Sequence, residues 1–403
     1  MTLESSFKKV KERVYGALEN TEMQTGINRG MDSFQSKIPR IRSKNDVQQL
    51  RSRVREIKSY SSRNLNELLN QVREAFQNNG VAVYLEKTKS DALSRFEKLT
   101  EGDRLIVKSK SLVSEEIGLR GFLTSKGKEV WETDLGEFII QLRGERPSQM
   151  VAPSLHVPRE AVARLFERKF GRRFQSDDLQ SMVNAAREFL REKLERADVG
   201  ITGANAISAN EGTVVTVENE GNVRLTMTLP KKHIVCTSVE KVVPTTIDAV
   251  SVALTQSYFA GYDKPTYISL TSTPSGTGDI EKVIVRPAQG SKEMSVVLVD
   301  NGRLEASGGE LSDALRCIKC GACQMVCPTY SVAGPAWGGP TYTSAIGLVW
   351  TAITGEPEES EYLSYFCLGC DACNEICPVE IDISRLISRL RAKGTGNIVS
   401  DLK

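Results

Sequence analysis

Two cysteine runs, CIKCGACQMVCP and CLGCDACNEICP, constrain this chain more than any other feature. Each reads C-x2-C-x2-C-x3-C-P: Cys317, Cys320, Cys323 and Cys327 before Pro328, then Cys367, Cys370, Cys373 and Cys377 before Pro378. Eight of the nine cysteines therefore fall within residues 317–377. The opening residues, MTLESSFKKV, lack the apolar stretch of a secretion signal, so this density points to metal ligation rather than to disulfides.

Soft thiolates suit iron and zinc. A structural zinc site usually takes two cysteine pairs separated by a longer loop. Here three closely spaced cysteines wrap three corners of a cube and a fourth follows after a short step, which is the spacing of 4Fe–4S ligation. In a duplicated run the fourth cysteine serves the other cluster. Two 4Fe–4S clusters are therefore predicted, one on Cys317, Cys320, Cys323 and Cys377, the other on Cys367, Cys370, Cys373 and Cys327. Zinc and free thiols are the alternatives. Gly321 and Gly369 are expected to let the backbone turn tightly and bring amide donors near sulfur, while Pro328 and Pro378 redirect the chain. The 39 residues between Cys327 and Cys367, with a predicted helix over Tyr342 to Thr354, point to a helical ferredoxin module rather than a small β-hairpin ferredoxin.

At 403 residues the chain has room for two or three domains. Its 53 basic and 51 acidic residues nearly cancel, which argues against nucleic-acid binding by the chain as a whole. No run of about 18 apolar residues exists to form a transmembrane helix. A cytoplasmic protein is expected, reaching a membrane only peripherally, through partners.

Charge and pattern divide the chain in three. Residues 1–60 form a basic helical arm, with 13 Lys and Arg against 7 Asp and Glu and apolar residues at Phe7, Val10, Val14 and Leu18. A break is expected at Ile38-Pro39, with a second helix over Asp46 to Ile57. The arm either packs on the domain behind it or docks on an acidic partner or an anionic membrane surface. Residues 61–305 alternate strand and helix patterns, implying an α/β domain with a mostly parallel sheet. Helices are predicted over Leu65 to Asn78, Ser114 to Thr124, Arg159 to Lys169, Leu179 to Arg196 and Ile247 to Tyr258. Strands are predicted at Val81 to Tyr84, Arg104 to Val107, Glu129 to Trp131, Asp198 to Ile201, Gly212 to Val217, Val223 to Leu229 and His233 to Thr237. Residues 306–403 lose the strand pattern, and Cys320 to Gly355 contains no charged residue, as a dry wrapping around a cofactor requires.

Two strand-to-helix turns of the α/β domain could hold an anion. In LIVKSKSLVSEE, Lys108 and Lys110 follow a strand and precede a helix, whose N-terminus favours negative charge. In ADVGITGANAISANEG, Asn205 follows a strand end, where ligands of open α/β sheets sit. Glu218 and Glu220, in ENEGN, could line the same cleft. Capped helices, tight turns and a hairpin are the plain readings of these segments. Neither a G-x-G-x-x-G fingerprint nor a P-loop is present, so no nicotinamide, flavin or nucleotide site is expected. Cys236, in the apolar HIVC, reads as a buried structural thiol.

These segments resemble the lactate-utilisation iron–sulfur proteins of the LutB type. The resemblance rests on KSKSLVSEEIGL (108–119), ETDLGEFIIQL (132–142), AREFLREKLERADVGITGAN (186–205), VENEGN (217–222), VEKVVPT (239–245) and VLVDNGR (297–303), in the same order across roughly residues 50–385. It implies a LUD domain of the sugar-isomerase/CoA-transferase-like α/β fold, followed by an all-α ferredoxin-like domain with two clusters. It further implies a complex that oxidises L-lactate or a related 2-hydroxy acid to the 2-oxo acid, with a CCG-domain or flavin-containing subunit and an electron carrier as partners. The chain departs from the family at Pro147-Ser148-Gln149, where Pro-Ser-His is usual. Its complete second cysteine motif is closer to electron-transfer subunits of heterodisulfide-reductase and glycolate-oxidase type. Three readings follow: an electron-transfer subunit, a LUD-domain enzyme acting on an anionic small molecule, and a non-catalytic docking platform.

Overall fold

The computed structural model describes residues 3–355 and 357–401. Ten strands occur among them: β1 (Ala82–Glu86), β2 (Leu105–Lys108), β3 (Glu129–Glu132), β4 (Val199–Thr202), β5 (Ala206–Ser208), β6 (Thr213–Glu218), β7 (Lys232–Ser238), β8 (Val242–Val243), β9 (Tyr267–Thr271) and β10 (Glu293–Val299). Six form an all-parallel sheet in the order β1-β10-β7-β4-β2-β3. The others form a second, mixed sheet, β8-β5-β6-β9.

A parallel sheet buries both faces, so its central strands are continuously apolar rather than alternating. Successive residues of β7 and β10 feed two different cores. Val235, Met294, Val296 and Leu298 pack toward the helix Leu65–Asn78. Ile234, Cys236, Val297 and Val299 pack on the other face with Phe96, Val113 and Leu123, from the helices Lys89–Leu99, Leu112–Glu116 and Leu119–Ser125. Cys236 is fully buried there, and burial pushes its thiol up to about 12, as the structural reading expects.

After Val299 no strand occurs among the described residues, and the cysteine segment is built from the helices Pro328–Ala333, Ser344–Thr354, Pro357–Ser364, Ala372–Ile376 and Ile383–Asp401. The arm is three helices, Leu3–Glu19, Thr21–Arg42 and Asn45–Arg63, that strap this segment to the α/β domain. Ile27, Met31, Phe34 and Val54 share one core with Tyr330, Trp337 and Leu348 of the cysteine segment and with Val252 and Ala253 of the helix Thr246–Phe259. Each such burial contributes about 1.5–3 kcal/mol. The arm's basic side chains meet the chain's own carboxylates: Arg13 pairs with Glu359, Arg51 and Arg55 with Glu380, and Arg53 with Asp248. The apolar stripe of the first helix runs through Val10, Val14 and Ala17, while Leu18 is exposed and the side chain of Phe7 lies outside the described residues.

Three expectations are corrected. Val223 to Leu229 is not a strand: Asn222–Thr228 is a helix, entered through Gly221 at φ 79°. Its first free amides, of Val223 and Arg224, donate to the Glu218 carboxylate at 2.6 and 3.1 Å, which the apolar alternation does not reveal. Ser114 to Thr124 is two helices, broken at Gly118 in the left-handed conformation. Pro39 does not break its helix, which runs on to Arg42, because a proline in the last turn removes a single backbone hydrogen bond while Ile38 and Ile41 stay buried. Strand β10 and the helices Lys89–Leu99 and Leu135–Arg143 went unpredicted.

Candidate metal centres and the adjoining cleft

The two cysteine runs fold onto each other so that their last members change places. Cys317, Cys320, Cys323 and Cys377 line one cavity, walled by Met150, Ile346, Ile381 and Ile383. Cys327, Cys367, Cys370 and Cys373 line a second, with Trp337, Leu368 and Ala345. All eight sulfurs are free of disulfides.

The two loops follow the same backbone path with different residues. Lys319 and Gly321 adopt φ 56° and 76° in the first run; Gly369 and Asp371, at the matching positions, adopt 66° and 58°. Left-handed backbone turns amides inward. The Lys319 amide donates to Cys317 Sγ at 3.3 Å and the Ile381 amide to Cys377 Sγ at 3.4 Å.

The donor set fits iron–sulfur ligation. Burial, reinforced by neighbouring thiols, raises the Cys323 thiol well above its ordinary value. Burial likewise pushes Cys377 and Cys327 up to about 11, although backbone amides oppose it, and Cys373 up to about 12. Four thiolates cannot share either cavity uncompensated, and a cationic iron core removes that penalty. The centres differ in depth. Cys320, Cys323 and Cys377 are buried, whereas Cys370 is exposed and its neighbour Leu368 is 70% exposed.

The first cavity is braced from the α/β side. The Met150 amide donates to Gln324 Oε1 at 3.1 Å, and the Tyr330 and Thr343 hydroxyls donate to the Ser148 carbonyl at 2.7 and 2.8 Å. Lys319 pairs with Glu240, which also holds Arg303 at 2.8 Å; Arg303 in turn grips Glu116. Burial alone would raise the Glu240 carboxyl, but Arg303 and Lys319 outweigh it and hold it far below the carboxylate range.

A cleft of about 200 Å³ opens beyond the carboxyl ends of β2 and β4, and its floor reaches Met150 and Lys319. Residues 69–299, more than half the chain, match the family model of the LUD domain. The chain belongs to the LUD-domain family. Residues 313–381 match a second model, the 4Fe-4S dicluster domain. The chain is 34% identical to lactate utilization protein B of Lysinibacillus sphaericus (strain C3-41) over 396 residues, 97% of this chain and 81% of that protein. It is 36% identical over 346 residues to an uncharacterized electron transport protein, YkgF, of Escherichia coli (strain K12), covering 85% of this chain and 70% of that one. Among solved structures, a DUF162 family protein from Deinococcus radiodurans aligns with 58% of this chain and 98% of its own, at 13% identity and a TM-score of 0.33. The fold is thus a LUD domain with a mostly parallel sheet, followed by a helical ferredoxin-like region.

The LUD cleft gathers four of the five residues expected to bind a ligand: Lys110, Asn205, Glu218 and Glu220. Lys108 is not among its lining residues. It is fully buried beneath, its ammonium 3.0 Å from Glu132 and 3.3 Å from Glu115, because it is the last residue of β2 and points into the domain. Asn205 ties strands and helix together, donating to Gln256 at 2.6 Å and accepting from the Val217 amide at 2.8 Å. Glu218 caps the helix Asn222–Thr228, so its carboxylate is already engaged. The helix after Lys110 has only five residues. Sequence reasoning missed Lys241, Lys319, Asp134 and Tyr262, which also line the cleft. Lys319 had a signal, a charged residue inside a cysteine run; Lys241 had none. Gln149, at the departure Pro147-Ser148-Gln149, has its side chain against Gly321 of the first cysteine loop.

Proposed function

We propose that this protein is an iron–sulfur electron-transfer subunit carrying two 4Fe–4S clusters. One is held by Cys317, Cys320, Cys323 and Cys377, the other by Cys367, Cys370, Cys373 and Cys327. The observation that carries this reading is the exchange of Cys327 and Cys377 between two four-sulfur cavities. Once loaded, such centres exchange single electrons at potentials tuned by hydrogen bonds to sulfur and by burial. The chain supplies the tuning. Lys319 and Ile381 donate amide hydrogens to sulfur, and Met150, Ile346 and Ile383 exclude water from the first site. The exposed Cys370 and Leu368 bring the second site to the surface, where an electron carrier can approach.

The name of the lactate utilization protein B relatives supports a lactate-utilisation role, and that of the Escherichia coli relative an electron-transport one. In this reading the protein relays electrons within a complex that oxidises L-lactate or a related 2-hydroxy acid. A CCG-domain or flavin-containing subunit carries out the dehydrogenation, and any place at a membrane is reached through partners; no described helix is long and apolar enough to cross one. Anaerobic purification with iron and sulfide analysis, and mass analysis of co-purifying subunits, tests it. About eight irons per chain and a flavin or CCG-type partner are expected. Zinc, or a thiol-reductase partner, overturns it.

A further inference from the structure

Lys110 and Lys241 both line the LUD cleft, and neither has a carboxylate within ion-pair distance among the described residues. The Lys110 ammonium donates to the Val151 carbonyl and that of Lys241 to the Ala204 carbonyl, at 2.5 Å in the second case. Lys319, on the same floor, is neutralised by Glu240. The cleft therefore presents two ammonium groups that no short ion pair engages among the described residues, although Glu240 acts on Lys241 and Glu220 feels Lys110 from farther off. The same cleft also carries acidic groups, Asp134 and Glu220, near Tyr262.

We propose that the cleft binds a small organic acid, its carboxylate resting on Lys110 and Lys241 and its hydroxyl or carbonyl oxygen turned toward Glu220. The size argues for a metabolite of a few carbons, since about 200 Å³ is below the roughly 300–1,000 Å³ of sites for larger ligands. Asp134 and Glu220 argue against a phosphate dianion, which they would repel more strongly than the single charge of a carboxylate. Glu220 can take up a hydroxyl: burial and the neighbouring Asp134 raise its carboxyl to about 7, so near neutrality it both donates and accepts hydrogen bonds. On the cationic side, burial and Lys319 lower the Lys241 ammonium to about 7, and a bound carboxylate would restore its charge.

The site also adjoins the redox centre. Met150 lines both the cleft and the cavity of Cys317, Cys320, Cys323 and Cys377, and Lys319 belongs to both walls. An acid on Lys110 and Lys241 thus adds negative charge beside the first cluster and not beside the second. This coupling rests on the electron-transfer reading; binding itself does not.

Calorimetric titration of the anaerobically purified full chain tests the proposal, with pyruvate and L-lactate as probes and inorganic phosphate for comparison. Metabolite sites commonly work between about 1 μM and 1 mM. Saturable binding of either acid in that range is expected, weakened at least about tenfold in both Lys110→Gln and Lys241→Gln at unchanged iron content. If Lys241→Gln loses iron, Lys110→Gln alone decides. The electron paramagnetic resonance signal lost in Cys317→Ser should shift with the acid, while that lost in Cys367→Ser stays. No saturable binding by about 10 mM, tighter binding of phosphate, or binding unaltered in Lys110→Gln overturns the site. A zinc-loaded protein that still binds the acid through both lysines would sink the electron-transfer reading and leave the site standing.

Discussion

Lys319 and Glu240 form a buried ion pair that joins the first cysteine run to the LUD domain, with side chains 2% and 1% exposed. Glu240 also pairs with Arg303, and its backbone carbonyl accepts from Lys58 at 2.5 Å. Removing one partner of such a group leaves buried charge uncompensated, at a cost of about 3–5 kcal/mol. Glu240→Gln should therefore lower stability by about that amount and loosen the first cluster before the second. Denaturant unfolding together with iron release checks both effects. The Glu240 carboxyl is depressed in the folded state, so its contribution is complete above about pH 4.3 and is lost as pH falls through the lower folded value.

Cys377 belongs to the second run and lines the first cavity; Cys327 does the reverse. Cys377→Ser should abolish the same resonance signal as Cys317→Ser, and Cys327→Ser the same signal as Cys367→Ser. Uncrossed pairing of the signals would show that each run holds its own cluster.

Gly321 and Gly369 occupy left-handed backbone in their loops but meet different surroundings. A β-carbon on Gly321 would lie 2.2 Å from Gln149 Nε2, whereas one on Gly369 meets nothing within 4 Å. Gln149 is itself held, its oxygen accepting from the Val151 and Ala152 amides at 2.5 Å each. Gly369→Ala should carry the backbone penalty alone, about 1–2 kcal/mol. Gly321→Ala should cost more and lose iron from the first site, and adding Gln149→Ala should recover part of it. Equal iron loss in the two glycine variants would contradict this.

His233 is buried in β7, its Nε2 2.7 Å from Thr202 Oγ1, and burial lowers it to about 4. The unfolded histidine takes a proton near 6.5 while the folded one resists until about 4. Stability is thus complete above pH 6.5 and declines as pH falls through that window, by about 3 kcal/mol in all. His233→Gln should flatten this decline between pH 5 and 7, measured by urea unfolding; an unchanged slope would assign the acid sensitivity elsewhere.

Much of the fold was legible because its signals are local. The helices Leu65–Asn78 and Leu179–Arg196 agree with their periodicity residue for residue. Strand β10 was missed although it lies inside the sheet, between β1 and β7, because a short apolar run does not distinguish strand from buried helix. Val223 to Leu229 misled for the converse reason: seven residues can satisfy a period of two while a carboxylate from β6 winds them into a helix. In the cleft, Lys108 and Lys110 look equivalent in sequence. The first ends a strand and turns inward to Glu132; the second lies beyond it and lines the opening.

The sequence by itself pointed to 4Fe–4S chemistry, which the match to the 4Fe-4S dicluster domain supports, because cysteine spacing along one loop dictates what that loop can wrap. It determined the α/β character, through patterns that repeat within a few residues. Only the tertiary structure decided that the arm is a strap and that Lys319 faces Glu240. It alone brought Lys110 and Lys241 from separate strand ends into one cleft, whose lining shares Met150 and Lys319 with the first cysteine cavity. Those relations join residues tens to hundreds of positions apart, and burial and charge compensation select them only once the whole chain has packed.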